Sequence, residues 1–160
     1  MWHQPAQNLN IIGAYVQTEL GHGSNVMDLE TTATLDMKTD EWLIHTPHVK
    51  ATKFWPGNLA FGTHAVVFAR LKIDDNDYGV FPFMVQVRSL VDHKPMPGIE
   101  VGDCGTKIGF NTVDNGWVSF NQVRIPRTHL LSRFVNVEKD GTFSLKGDRR
   151  LIYSIMLHTR

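Results

Sequence analysis

Two short stretches carry residues whose types and spacing could do chemistry. The first is Gly21-His22-Gly23-Ser24-Asn25-Val26. Glycine removes the Cβ obstacle, so a ligand can approach the backbone closely. Thr18, Ser24 and nearby backbone N–H groups would then donate hydrogen bonds to carbonyl or phosphate oxygens. The same loop also reads as a plain tight turn. It opens like a dinucleotide fingerprint, but the third glycine is absent and no helix pattern follows, which argues against a Rossmann site. The second stretch is Lys53-Phe54-Trp55-Pro56-Gly57-Asn58. Trp-Pro-Gly reads as a rigid turn bearing a large flat ring. That ring would border a planar cofactor, with Gly57 leaving space beside it, or the aromatic pair would serve the core.

Other candidates carry less. Of eight histidines, His45 and His48 are three apart and His22, His64, His93 and His129 are scattered. No carboxylate or cysteine sits at matching spacing to the His45/His48 pair and the others show no recognisable ligand spacing, so no metal site is expected. No Gly-x-Ser-x-Gly elbow is present. Cys104, the single cysteine, rules out an intramolecular disulfide and reads as a small structural residue.

These residues must be held by something. The chain has 160 residues, 42% of them hydrophobic and 20% charged, which is ordinary globular composition for one domain. Lys+Arg and Asp+Glu are both 16; the basic excess of a nucleic-acid binder is missing. No apolar run is long enough for a membrane span, and Met1-Trp2-His3-Gln4-Pro5 has no secretory-signal character. Residues 1–10 read as a polar, flexible segment. Ile11–Val16 reads as a short buried strand, and residues 30–35 and 41–45 as a hairpin around Asp36–Asp40. Ala65–Leu71 is the clearest buried strand and Asp74–Asp77 the clearest turn. Gly79–Val87 returns as a strand whose Pro82 implies an edge or a bulge. Gly116–Phe120 and Asn121–Ile125 give further short strands. The one helix predicted is the apolar run after Asp148. Many short strands between turns argue an all-β barrel or sandwich.

Several motifs, in order, then carry a resemblance. Ala14-Tyr15-Val16-Gln17-Thr18-Glu19-Leu20-Gly21-His22-Gly23-Ser24 resembles the opening of the middle domain of acyl-CoA oxidases, and Leu29–Thr34 continues it. Phe54-Trp55-Pro56-Gly57 is similar to the family's Trp-Trp-Pro-Gly, and His93–Ile99 to its His-Lys-Pro-Leu-Pro-Gly. Gly102–Gly109, Asp114-Asn115-Gly116 and Arg124-Ile125-Pro126-Arg127 complete the series. The departures are Phe54 for a tryptophan, Thr106 for a proline, and Asn58–His64, which lacks the family's lysine.

The resemblance implies a fold, a function and a set of sites. The fold is an all-β, acyl-CoA dehydrogenase/oxidase middle-domain β-barrel over 11–147, with 148–160 starting a C-terminal helical domain. The family binds FAD, oxidises fatty acyl-CoA to trans-2-enoyl-CoA and reduces O2 to H2O2 in peroxisomal β-oxidation. Thr18 and Gly57 stand at flavin positions, Trp55 would line the flavin, and Ser24 stands where related dehydrogenases contact acyl-CoA. The family's glutamate base lies in a C-terminal domain, so no catalytic residue is assigned here. The missing helical domains of the same enzyme and a homodimeric full-length form are the implied partners. The chain is expected to be roughly a third of a subunit, judged from typical domain sizes. Rival readings are a non-catalytic assembly remnant and an acyl-CoA dehydrogenase fragment; Trp55-Pro56-Gly57 favours the oxidase branch over the latter.

Overall fold

The computed structural model describes residues 1–148, 150 and 154. Its centre is a long hairpin. Strand β5 (His64–Ile73) pairs antiparallel along its length with β6 (Asn76–Gln86). On its other edge β5 meets two strands in succession, both parallel to it. β1 (Gly13–Val16) covers His64–Val67, and β2 (Thr32–Asp36) covers Arg70–Lys72. Phe68 and Ala69 lie between those two ladders, so the edge is split there. β2 continues antiparallel into β3 (Glu41–His45), which pairs with β9 (Val123–Pro126).

A second sheet holds β4 (Lys53–Gly57), β8 (Asn115–Phe120) and β7 (Ile99–Asp103), with β8 in the middle. β10 (Val135–Val137) and β11 (Phe143–Leu145) form a small hairpin. The larger sheet curls into a half-barrel.

Alternation decides the faces. β2 and β3 bury every second residue, as strands with one wet face must. β5 reads as a near-continuous apolar run because both its faces are covered. Val67, Ala69 and Leu71 point into the main core, whose centre is Trp42 against Phe83 with ring centroids 5.2 Å apart. Phe68 points the other way, into a smaller cluster with Val26, Leu29 and Val80. Pro82 sits on β6, an edge strand, where its missing N–H costs no ladder bond.

Several details differ from the sequence reading. The first strand begins at Gly13; Ile12 instead brackets Thr63 through its N–H and C=O. His3–Gln7 forms a short helix, α1, and Trp2 packs on His129 and His64, with ring centroids 4.8 and 5.6 Å away. Asn121 and Gln122 make the turn before β9, and Gln122 has a φ of 55°. The helix expected over Leu151–Leu157 lies outside the described residues, Ser154 apart.

Candidate functional site

Trp55 is not in a free turn. Lys53 and Phe54 pair with Val118 and Trp117, and Gly57 pairs with Asn115. Trp55 and Pro56 therefore face the single residue Gly116, which is a β-bulge. The bulge places Trp55 at a φ of 78° and leaves it 53% exposed. The Asn115 side-chain amide donates to the Trp55 carbonyl at 3.2 Å, fixing that conformation. A tryptophan held in the left-handed region is strained, and persists only because its surroundings hold it there. Glycine is required opposite: a Cβ at Gly116 would lie 2.7 Å from the Gly102 carbonyl and 2.9 Å from Leu59 Cβ.

The first stretch reaches the same shelf. The Thr18 hydroxyl donates to the Phe54 carbonyl at 2.7 Å, and the Phe54 N–H donates to the Thr18 carbonyl at 3.1 Å. Thr18 is thus joined to β4 at Phe54, the residue before Trp55 on the strand that ends at Gly57, although 36 residues separate Thr18 from Phe54. Because the hydroxyl proton is spent on Phe54, the donor left on Thr18 is its backbone N–H, which has no acceptor among the described residues. Ser24 lies in the exposed glycine loop beyond; its carbonyl accepts the Val26 N–H at 3.0 Å.

Beneath this shelf lies a feature that sequence reasoning missed. The Lys53 side chain is wholly buried. Its ammonium donates to the Gln17 carbonyl (2.9 Å), Glu19 Oε1 (3.0 Å) and the Phe68 carbonyl (2.6 Å). Glu19, also buried, accepts the backbone N–H of Thr31 at 2.9 Å and of Glu30 at 2.8 Å. His22 Nδ1 lies 3.2 Å from Glu19 Oε2. Burial pushes the Glu19 carboxyl up, but the Lys53 ammonium and the two backbone N–H groups outweigh it and hold the pKa below its usual value. Burial drives Lys53 down to about 8, with Glu19 opposing the fall. Glu19, His22 and Glu30 also place one potential ligand atom each within 4.8 Å of one another. The Glu19 oxygens are already engaged by the ammonium and the backbone, so the group is built as a hydrogen-bond hub. No local pattern announces the pair, since its members are 34 residues apart.

The Glu19 shift fixes a pH dependence. A carboxylate with a lowered folded pKa adds stability above its unfolded value, near 4.5, and that stability is lost as pH falls through the folded value. Lys53 titrates near 8 and stays charged throughout this window. The half-buried Asp36 and the exposed Asp92 and Asp140 are lowered too and act in the same direction. The Glu19 share is therefore read as a difference between proteins. The urea midpoint of the wild type is expected to fall from pH 7 to pH 3 more steeply than that of Glu19→Gln. Parallel curves would show that the carboxylate does not carry the term.

Strand order, curled sheet and shelf together define an all-β half-barrel domain with a bulged strand, β4, beside the glycine loop. The acyl-CoA dehydrogenase middle-domain profile matches residues 14–123, and the chain belongs to that family. It is 52% identical over 165 residues to the peroxisomal acyl-coenzyme A oxidase 1 of Arabidopsis thaliana, covering 99% of this chain and 25% of the relative. The solved Arabidopsis thaliana acyl-CoA oxidase 1 superposes with a TM-score of 0.93 at 52% identity, over 98% of this chain and 25% of that one. Caenorhabditis elegans acyl-CoA oxidase-2, solved with FAD, ascaroside-CoA and ATP, gives 0.94 at 46% identity, over 99% and 24%. The chain thus spans about a quarter of the length of these relatives, less than the third expected from typical domain sizes.

Proposed function

We propose that this chain is the FAD-binding middle domain of an acyl-CoA oxidase, acting in peroxisomal fatty-acid β-oxidation. The observation that carries the reading is the Thr18 N–H, which has no acceptor among the described residues, on a segment joined to the strand of the strained, exposed Trp55 and of Gly57. Those residues fit a flavin: a planar ring finds a flat apolar neighbour in Trp55. Its polar edge finds a backbone donor at Thr18. When bound, FAD supplies the hydride acceptor for the acyl β-carbon and the reductant for O2. Thr18 binds and orients, and its N–H stabilises negative charge growing on the ring edge. Trp55 excludes water from one side. Ser24, on the glycine loop, contacts acyl-CoA. The base that takes the α-proton comes from another domain. The 11–147 barrel, the polar 1–10 segment and the 148–160 start of a helical domain complete this reading. The exposed Ile108 and Phe110 form surface for the remaining helical domains of a homodimeric subunit.

The test uses the complete subunit that carries this chain. It is expected to retain FAD and to yield peroxide from a fatty acyl-CoA. A subunit that does neither contradicts the proposal.

Gly57 supports a narrower prediction. Its φ lies outside the left-handed region, and an added Cβ would meet only the Asp114 carbonyl, at 3.4 Å. Gly57→Thr is therefore expected to fold with a stability change within about 0.5 kcal/mol. Its methyl and hydroxyl fill the space beside the ring, so reoxidation of the reduced subunit by O2 slows severalfold, read by stopped-flow absorbance. An unchanged rate shows that this space is not the oxygen's approach.

A further inference from the structure

We propose that Lys53 and Glu19 are positioning residues for the flavin shelf: the buried pair sets Thr18 in register with Trp55 and Gly57. The proposal rests on the reading of that shelf as the FAD site. It begins with the split edge of β5. Along β5 the β1 ladder ends at Val67 and the β2 ladder begins at Arg70, so on that edge the Phe68 carbonyl has no strand partner among the described residues. An unpaired buried carbonyl costs free energy, and the Lys53 ammonium fills the gap, donating to it at 2.6 Å.

The same ammonium holds both neighbours of Thr18, the Gln17 carbonyl and the Glu19 carboxylate. Lys53 itself precedes Phe54, the residue that exchanges two hydrogen bonds with Thr18. The ring is closed: Lys53 grips Thr18 from either side, and the next residue along β4 grips Thr18 directly. Glu19 extends the grip to Glu30 and Thr31, at the start of β2, and to His22 in the glycine loop. One buried pair thus joins the segment after β1, the glycine loop, the approach to β2, β4 and β5.

A buried ion pair is a poor device for stability alone, because well-packed neutral residues of similar volume serve as well or better. That difference supplies the test. Lys53→Met/Glu19→Gln removes both charges and keeps the volumes. Three quantities are measured on the chain: the urea midpoint, the FAD dissociation constant, and the exchange rate of the Phe54 amide with solvent. The expected result is a midpoint above that of Lys53→Met but below wild type, because the Gln17 and Phe68 carbonyls stay unpaired, with FAD binding weakened about tenfold or more and Phe54 exchange faster than the lowered midpoint accounts for, because a small misplacement of binding groups is costly. A folded double variant with wild-type FAD affinity and wild-type Phe54 exchange overturns the proposal. If the wild-type chain itself takes no FAD, the flavin reading of the shelf loses its support, and the Phe54 rate still decides whether the pair sets the register. Should the double variant not fold, Glu19→Gln is read in the same way. It leaves Lys53 able to shed its proton and remain as a neutral donor. Faster Phe54 exchange supports the proposal and an unchanged rate overturns it.

Discussion

Lys53→Met alone is expected to destabilise the chain by about 3–5 kcal/mol, the usual result of stripping one partner from a buried ion pair. The mechanism is specific. Removing the ammonium leaves the Glu19 carboxylate inside the protein with only backbone N–H groups and His22 for company. It also leaves the Gln17 and Phe68 carbonyls without their donor. Against a typical domain stability of about 5–15 kcal/mol, this is a large share. Urea unfolding followed by tryptophan fluorescence measures it. Adding Glu19→Gln should restore the part of the loss that the uncompensated charge causes, while the part from the Gln17 and Phe68 carbonyls remains. A single variant within about 1 kcal/mol of wild type would mean that the carboxylate simply takes up a proton at little cost.

Gly116→Ala should act on the fold and the shelf together. Its Cβ would come within 2.7 Å of the Gly102 carbonyl and 2.9 Å of Leu59 Cβ. Neither is the loose end of a flexible side chain: one is backbone in β7, and Leu59 is fully buried. Overpacking of this kind costs about 1–3 kcal/mol. β8 must shift, and the bulge opposite Gly116 shifts with it. Trp55 then loses its aim, so the urea midpoint and the FAD affinity fall in the same variant. A lower midpoint with FAD affinity unchanged would show that the bulge does not orient the ring.

Much of the barrel was legible because its signals are local. The β2–β3 hairpin follows from β-branched alternation around Asp36–Asp40. The β5–β6 hairpin follows from an apolar run, an acidic turn and a returning strand. Pro82 pointed to an edge, and β6 is one. Trp55-Pro56-Gly57 was harder. Its residue types are those of a turn, and only the pairing with β8 reveals a bulged strand. β4 and β7 were missed because each is short and mixed in character. The Thr18–Phe54 contact and the Lys53–Glu19 pair were invisible for a different reason. They join residues 36 and 34 positions apart, and no periodicity encodes such a distance. Lys53 drew no reading of its own from the sequence, yet the split edge of β5 makes it the most enclosed charge in the site.

An NMR titration of this chain with FAD tests most directly whether Thr18, Trp55 and Gly57 face the flavin, because chemical shifts report weak binding residue by residue. The predicted result is that the largest shifts fall on the Thr18 amide, the Trp55 indole and the Gly57 amide. Ser24, proposed to contact the acyl-CoA, should move less. Shifts absent at these three residues, or centred on the far edge at β7, would contradict the account.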